Sequence, residues 1–264
     1  MTAEVEVKVT SNSLAARLLG AVSGDCVFVH GFAQNAQCLG RFGSLIAEQK
    51  GLLAVDAPGH GQSAKFGNAR LEMGAELLCA TAGSAHYIGY SMGGRLCLQA
   101  AVSHPELFQS LVLIGATAGI DDPIERSQRQ NWDRQQAESL VEVGLDEFLD
   151  SWLEQPMFAG LTEDMRFHEE RRSNTVGGLA ASLEFAGTGS MTPLWDQLRV
   201  IRCPVLVITG SNDVRYSQIA ERLVEHIGSN ASSMTIASAG HAAHLEQPEM
   251  TAHAILEFLA SSSR

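Results

Sequence analysis

A serine set between glycines is the residue of this sequence best suited to covalent or acid–base chemistry. Ser91 lies in the run Gly89-Tyr90-Ser91-Met92-Gly93, which follows a short apolar stretch and precedes a helix-patterned one. A G-x-S-x-G run between a strand and a helix predicts a strained corner that exposes the serine hydroxyl. Ser91 is therefore predicted to be the reactive residue, with Met92 N–H facing the group it acts on. The alternative is an ordinary glycine–serine turn.

Such a serine needs a base to take its proton and a carboxylate to orient that base, and two later loops offer both. Asp213 follows the strand-like run 204–209, and His241 follows the run 234–237. Taken alone, each is more typical of a turn or a surface. Because each comes just after a strand, we predict that they form a catalytic triad with the serine. His244 lies one helical turn later, and its role is left open.

A second backbone donor is needed to hold negative charge that develops on a substrate oxygen. His30-Gly31-Phe32 directly follows the strand-like run CVFV. Phe32 N–H is therefore predicted to form an oxyanion hole with Met92 N–H, the alternative being a plain glycine turn. The glycine-rich run 56–63, after the next strand, is predicted to be structural.

The elements that must position these residues are short apolar strands that alternate with helices. The strand-like runs are VEVKV at 5–9, then 26–29, 51–56, the run before Ser91, 111–114, 204–209 and 234–237. Continuous apolar strands separated by helices predict a mostly parallel sheet covered by helices on both faces. The sequence therefore predicts an α/β fold with its site at the carboxyl ends of the strands.

One interval, residues 120–191, has no strand-like run. Helix-patterned segments follow one another there, at 124–143, 145–153, 162–174 and 178–185. We predict a helical lid of residues 120–191 inserted into a core formed by residues 1–119 and 192–264. The alternative is that these helices only cover the sheet.

Composition and charge exclude some classes of partner. The chain has 264 residues and a net charge of −12, whereas a nucleic-acid or anionic-membrane surface needs clustered lysine and arginine. No apolar run is long enough to span a bilayer and the first ten residues lack a signal-peptide pattern, so a cytoplasmic protein is predicted. The five cysteines form no C-x-x-C pair and are predicted to be core residues. Monomer and homo-oligomer both remain open.

Together, these motifs resemble the α/β-hydrolase superfamily over nearly the whole chain. The motifs are HGF after one strand, DAPGHGQS after the next, GYSMGG, GSND and AGH. Within the superfamily, GYSMGGR, WLEQPMF, RSN and AGHAAHLEQP are similar to the 2-succinyl-6-hydroxy-2,4-cyclohexadiene-1-carboxylate (SHCHC) synthases of menaquinone biosynthesis. The resemblance implies the fold of that superfamily, with a helical lid between sheet strands.

The resemblance also assigns roles to residues. It implies a triad of Ser91, Asp213 and His241, pocket arginines at Arg95, Arg129 and Arg172, and pocket aromatics at Tyr90 and Trp152. Arg126 is the alternative to Arg129. The implied enzyme is a carbon–oxygen lyase that eliminates pyruvate from a 5-enolpyruvyl precursor and needs no metal or organic cofactor. Arginine suits its small polycarboxylate substrate, because a guanidinium binds a carboxylate through two parallel hydrogen bonds.

Two other classes of function use the same residues. A serine hydrolase of an ester or a C–C bond needs the same triad and oxyanion hole, because fold and triad do not decide the reaction. A non-catalytic ligand-binding protein of the same fold is the third. A lyase releases pyruvate and a hydrolase consumes water, so the products separate the first two, and any turnover excludes the third.

Overall fold

The structure is a computed structural model, and it describes residues 5–7, 12–20 and 25–262. The strands are β1 (Val5–Val7), β2 (Ala16–Leu19), β3 (Cys26–Val29), β4 (Leu52–Val55), β5 (Ala85–Tyr90), β6 (Phe108–Ile114), β7 (Val205–Gly210) and β8 (Ala231–Ile236). The helices are α1 (Gly40–Gln49), α2 (Leu71–Ala82), α3 (Met92–Ser103), α4 (Pro123–Val143), α5 (Leu145–Leu153), α6 (Glu163–Arg166), α7 (His168–Arg171), α8 (Val176–Ala186), α9 (Val214–Ile227), α10 (Ala243–Glu246) and α11 (Pro248–Ser262).

The strands form one sheet in the order β1-β2-β4-β3-β5-β6-β7-β8. The pairs from β4 to β8 are parallel, and β2 runs antiparallel to both β1 and β4. The predicted α/β fold with a mostly parallel sheet is therefore confirmed. The last two residues of the predicted first strand, Lys8 and Val9, lie outside the described residues.

Helices cover both faces of the sheet and bury two apolar layers. On one face, α2, α3 and α9 contribute Leu78, Leu98 and Leu223, and on the other α1 and α11 contribute Phe42 and Ile255. All five cysteines are free and buried, as predicted for core residues: Cys26, Cys38, Cys79, Cys97 and Cys203. None of the described helices is long and apolar enough to cross a membrane.

Five helices, α4 to α8, lie between β6 and β7 and form what we call the helical insertion. Its buried side chains, such as Leu140 and Leu179, join the apolar layer under α1 and α11. The helix predicted over 162–174 is wrong, because Phe167 adopts φ 52° and ψ 46° and separates α6 from α7. The ring of Phe167 packs towards Gly40, so partial burial of an aromatic side chain accompanies the left-handed backbone.

Candidate active site

Ser91 occupies the corner between β5 and α3, with φ 51° and ψ −108°. Its N–H donates to the Ile114 carbonyl oxygen at 2.8 Å, which ties the corner to the neighbouring strand. Gly93, two residues later, lies close to the backbone of β3 and the loop after it. A Cβ there would collide with the carbonyl oxygens of Val29 and His30, which explains the glycine. The corner therefore raises the Ser91 hydroxyl above the carboxyl ends of the strands, as the motif predicts.

The structure brings Asp213 and His241 to this serine. His241 Nδ1 lies 2.8 Å from Asp213 Oδ2, and His241 Nε2 lies 3.0 Å from Ser91 Oγ. A carboxylate only accepts hydrogen bonds, so Nδ1 carries the proton and Nε2 is left to accept from the serine hydroxyl. The His241 ring is buried, with 2% of the residue exposed. The arrangement has the geometry that a nucleophile, a base and an orienting acid require.

The loop that carries His241 is held by a carboxylate that our sequence analysis did not identify. Glu246, in α10, accepts from Gly240 N–H at 2.7 Å and from Ala242 N–H at 3.2 Å. These two donors flank His241 in the chain, so the Glu246 carboxylate fixes the backbone on both sides of the base. The available signal in the sequence was the spacing, since Glu246 follows His241 by five residues.

His244, whose role the sequence left open, does not contact the serine. Its ring is fully buried, and its centroid lies 4.4 Å from that of Tyr90 and 5.4 Å from that of Phe42. Neither ring nitrogen has a hydrogen-bond partner in the part of the chain that the structure describes. Burial and the nearby His241 lower the pKa of His244 to about 3, so the ring is neutral at physiological pH.

Two predicted oxyanion donors, Phe32 N–H and Met92 N–H, belong to residues that line the same cavity. Met92 is the first residue of α3, so its N–H has no acceptor within the helix. The Phe32 loop is braced from the next strand end, because His30 Nε2 accepts from Ala57 N–H at 3.0 Å and His60 Nε2 from Ala33 N–H at 3.2 Å. The run 56–63 thus supports the loop, in the structural role predicted for it.

A cavity of about 520 Å³ opens above Ser91, between the strand ends and the helical insertion. Both predicted aromatics, Tyr90 and Trp152, line it and are buried. The Trp152 ring packs 4.8 Å from that of Phe32, and its Nε1–H has no acceptor among the described residues. A buried donor without a partner is uncommon in folded proteins.

Arg95 and Arg129 both line this cavity. Arg95 is 7% exposed and donates to the Ala186 carbonyl oxygen at 2.8 Å, and burial, with the charge of Arg129 nearby, lowers its pKa to about 10. Arg129 Nε donates to Asp133 Oδ1 at 2.8 Å. Arg126 instead caps backbone carbonyls outside the cavity, so the structure favours Arg129 of the two alternatives.

The placement of Arg172 needs correction. Its side chain is 45% exposed and pairs with Asp146 and Glu169, and it does not line the cavity. Arg171 lines the cavity instead and is 1% exposed. The break between α6 and α7 is the reason, since it lets Arg171 Nε donate to the Arg166 carbonyl oxygen at the end of α6, at 2.6 Å.

Arg171 therefore brings a guanidinium with spare donors into the cavity. Its Nη1 has no partner among the described residues, and burial lowers its pKa. The charge of Arg171 acts on His30, His60 and Cys38, which places it on the side of the Phe32 loop.

Sequence reasoning also missed two cavity residues at the start of α9, Arg215 and Tyr216. The available signal was their position two and three residues after Asp213, in the first turn of a helix that begins at the strand ends. No group of three or more metal-ligating side chains occurs among the described residues.

Comparison with known proteins shows which family and which solved structures the chain is similar to. A model of the alpha/beta hydrolase family matches residues 26–254. A 2-succinyl-6-hydroxy-2,4-cyclohexadiene-1-carboxylate synthase of Escherichia coli O1:K1 / APEC is 32% identical over 229 residues, covering 84% of this chain and 88% of that protein. The solved structures that share the fold include the following two. MenH from S. aureus has a TM-score of 0.79, 24% identity and coverage of 100% and 99% of the two chains. A thermophilic esterase from Thermogutta terrifontis, with malate bound, has a TM-score of 0.77, 20% identity and coverage of 98% and 99%.

Proposed function

Because the chain belongs to the α/β-hydrolase family and is an enzyme on that scaffold, we propose that it is an SHCHC synthase. The reaction eliminates pyruvate from 2-succinyl-5-enolpyruvyl-6-hydroxy-3-cyclohexene-1-carboxylate. The observation that carries the proposal is the charge of the cavity above Ser91, which is lined by four arginines and only two carboxylates: Arg95, Arg129, Arg171, Arg215, Asp133 and Asp213. An excess of guanidinium groups in a largely buried cavity favours a ligand with several carboxylates.

The distribution of these charges supports a substrate with carboxylates at separate places. Arg129 is close enough to lower the pKa of Arg95, and Asp133 lies near the same guanidinium. Arg171 lies on the other side, near the Phe32 loop. Ser91 lines the same cavity as both positive regions, so a molecule anchored at both would lie beside its hydroxyl. The proposed substrate carries carboxylates on the ring, on the succinyl chain and on the enolpyruvyl group.

The triad supplies a proton path for the elimination. Ser91 Oγ takes the proton from the ring carbon beside the succinyl ketone while its own proton passes to His241 Nε2, 3.0 Å away. Negative charge moves to the ketone oxygen, where Phe32 N–H and Met92 N–H stabilise it. The electron pair then returns through the ring double bond and expels the enolpyruvyl oxygen. Pyruvate leaves as its enolate and takes up a proton, and the ring gains a conjugated diene.

The helical insertion has a part in this scheme as a lid. Its helices supply the Trp152 ring and two of the arginines that line the cavity, Arg129 and Arg171. A lid that carries substrate-binding groups completes the site only when the lid covers the cavity. Covering the cavity also excludes water that would hydrolyse an activated carbonyl. We assign the lid to residues 120–191, place the enzyme in the cytoplasm and expect neither nucleic acid nor membrane as a partner.

A serine hydrolase is the second candidate, and the Ser91–His241 hydrogen bond favours it equally. The same contact that makes Ser91 a base makes it a nucleophile, and a thermophilic esterase shares the fold. A ligand-binding protein is less well supported, because an assembled triad serves no purpose in it.

One assay separates these functions. Release of pyruvate from the enolpyruvyl precursor is followed by coupling to lactate dehydrogenase, and hydrolysis of 4-nitrophenyl acetate is followed in parallel. A synthase is expected to release one pyruvate per product formed, and Ser91→Ala is expected to abolish this. Ester hydrolysis without pyruvate release would contradict the proposal and support the hydrolase.

Arginine variants test the charge argument. Arg129→Met is expected to lower kcat/KM for the polyanionic substrate by about 30-fold or more, because a substrate carboxylate in the cavity loses its guanidinium partner. The matched control is Arg126→Met, which removes an arginine of the same helix that does not line the cavity. Equal losses in the two variants would show that Arg129 supports the helix instead of the substrate.

A further inference from the structure

Tyr216 is a cavity residue to which the proposed reaction assigns no part. It lies in the first turn of α9, and its backbone N–H donates to Asp213 Oδ1 at 3.2 Å. Its ring centroid is 4.5 Å from that of His241, with 53° between the ring planes. The triad therefore fixes both the backbone and the ring of Tyr216, and the side chain lines the cavity from a rigid position.

Among the described residues, Tyr216 makes its hydrogen bond through the backbone N–H, and its hydroxyl has no partner, although its ring packs against His241. Burial raises the pKa of this phenol, and the positive charges of Arg129, Arg95 and Arg215 oppose the rise only in part. The group is therefore a neutral O–H donor at physiological pH. Tyr216 is half-buried, and a polar group without a protein partner that faces a cavity is well placed to bind a ligand.

The chemistry around this hydroxyl defines the ligand group. The three charges that act on it are arginines that line the same cavity. Arg129 shares its charge with Asp133, whereas Arg95 donates to a neutral acceptor, the carbonyl oxygen of Ala186. An anion at this corner would meet the unpaired positive charge and accept from the phenol at the same time.

We propose that Tyr216 is a specificity-determining residue, whose hydroxyl donates a hydrogen bond to a substrate carboxylate held by Arg95 and Arg129. The inference rests on the proposed function only in that the substrate carries carboxylates. Tyr216 thus recognises the carboxylate nearest to His241, because its ring lies against the base. The hydroxyl adds a directed hydrogen bond to the charge that the arginines supply.

The test is calorimetric binding of 2-succinylbenzoate, a dicarboxylate with a succinyl ketone, compared with binding of its dimethyl ester. Tyr216→Phe keeps the ring against His241 and removes only the hydroxyl. It is expected to raise the Kd of the dicarboxylate about tenfold, which is typical of one hydrogen bond to a charged group. The Kd of the diester is expected to change less than about twofold, since the diester has no anion to accept.

A matched control removes a hydroxyl elsewhere in the core. Tyr87 is buried, and its hydroxyl donates to the Gly83 carbonyl oxygen, away from the cavity. Tyr87→Phe is expected to leave both Kd values unchanged. If Tyr216→Phe changed both ligands equally, or neither, the proposal would be wrong.

A double-mutant cycle gives an independent readout. If Tyr216 and Arg95 hold one carboxylate, the effects of Tyr216→Phe and Arg95→Met on the dicarboxylate Kd are non-additive, and additive effects would overturn the proposal. Because binding is measured without turnover, this test separates the two proposals. A chain that binds the dicarboxylate through Tyr216 but releases no pyruvate retains the carboxylate site and loses the lyase function.

Discussion

Arg171 and Arg172 are adjacent in the chain and lie in opposite environments, which makes them a matched pair for testing the site. Arg171 is 1% exposed and lines the cavity, whereas the Arg172 side chain is 45% exposed and pairs with two surface carboxylates. We expect Arg171→Met to damage the reaction and Arg172→Met to leave it unchanged within about twofold, because exposed ion pairs contribute little.

The size of the Arg171 effect follows from its surroundings. Removal of one partner from a desolvated charge pair costs about 2–5 kcal/mol, which corresponds to roughly 30-fold to several thousand-fold in kcat/KM. The fold should lose much less. The variant gives up one hydrogen bond to the Arg166 carbonyl oxygen, worth about 1–2 kcal/mol, and relieves the cost of a buried charge. Activity and stability are therefore expected to separate in Arg171→Met.

The assay measures kcat/KM for pyruvate release and the free energy of unfolding in urea, for the parent protein and both variants. Arg171→Lys is expected to recover only part of the activity, because an ammonium keeps the charge and loses the planar fork. A larger loss for Arg172→Met than for Arg171→Met would refute the placement of these side chains. An activity loss in Arg171→Met that merely follows the loss of stability would refute a contact with substrate.

Three further predictions concern the triad and the residues behind it. Ser91→Ala and His241→Ala are each expected to lower kcat by at least about 10³-fold, because they act as one unit, while Asp213→Asn keeps more activity. If His244→Ala lowered kcat more than His241→Ala does, the assignment of His241 as the base would be wrong. Glu246→Gln leaves one of the two oxygen acceptors beside His241, so we expect kcat to fall with little change in KM, and an effect on KM alone would argue against a positioning role. Since the pKa of His244 is lowered from 6.5 to about 3 in the folded protein, the unfolded chain binds its proton first as the pH falls. Stability is therefore lost between about pH 6.5 and pH 3, and His244→Phe is expected to make this slope shallower by up to about 1.4 kcal/mol per pH unit, measured by urea unfolding at pH 6, 5 and 4.

The sequence alone was enough to predict the class of fold and the meeting of the triad residues. Both follow from local patterns. Apolar strands alternating with helices can be buried only as a covered parallel sheet, and the carboxyl ends of such strands share one edge. Residues that follow separate strands, as Ser91, Asp213 and His241 do, must therefore lie near one another, whatever the separation along the chain.

Where tertiary pairing overrides local preference, the sequence did not suffice. Residues 16–19 are Ala, Arg, Leu and Leu, which favour helix in isolation, yet they form β2 because β1 and β4 pair with them on either side. A propensity of a few tenths of a kcal/mol per residue is small beside the hydrogen bonds of two neighbouring strands. The break at Phe167 is similar, since its partly buried ring packs towards Gly40 of α1, a contact between elements that helix periodicity does not predict.

The arginines and Tyr216 show most clearly what only the tertiary structure decided. Adjacent residues of a helix point about 100° apart, so a small change of phase at Phe167 exchanges Arg171 for Arg172 in the cavity. The position of Tyr216 in a first turn does not reveal that its phenol lies near the charges of Arg95 and Arg129, which lie on two other helices. Sequence patterns report which face of an element is buried, whereas the partners across a cavity depend on how whole elements pack against each other.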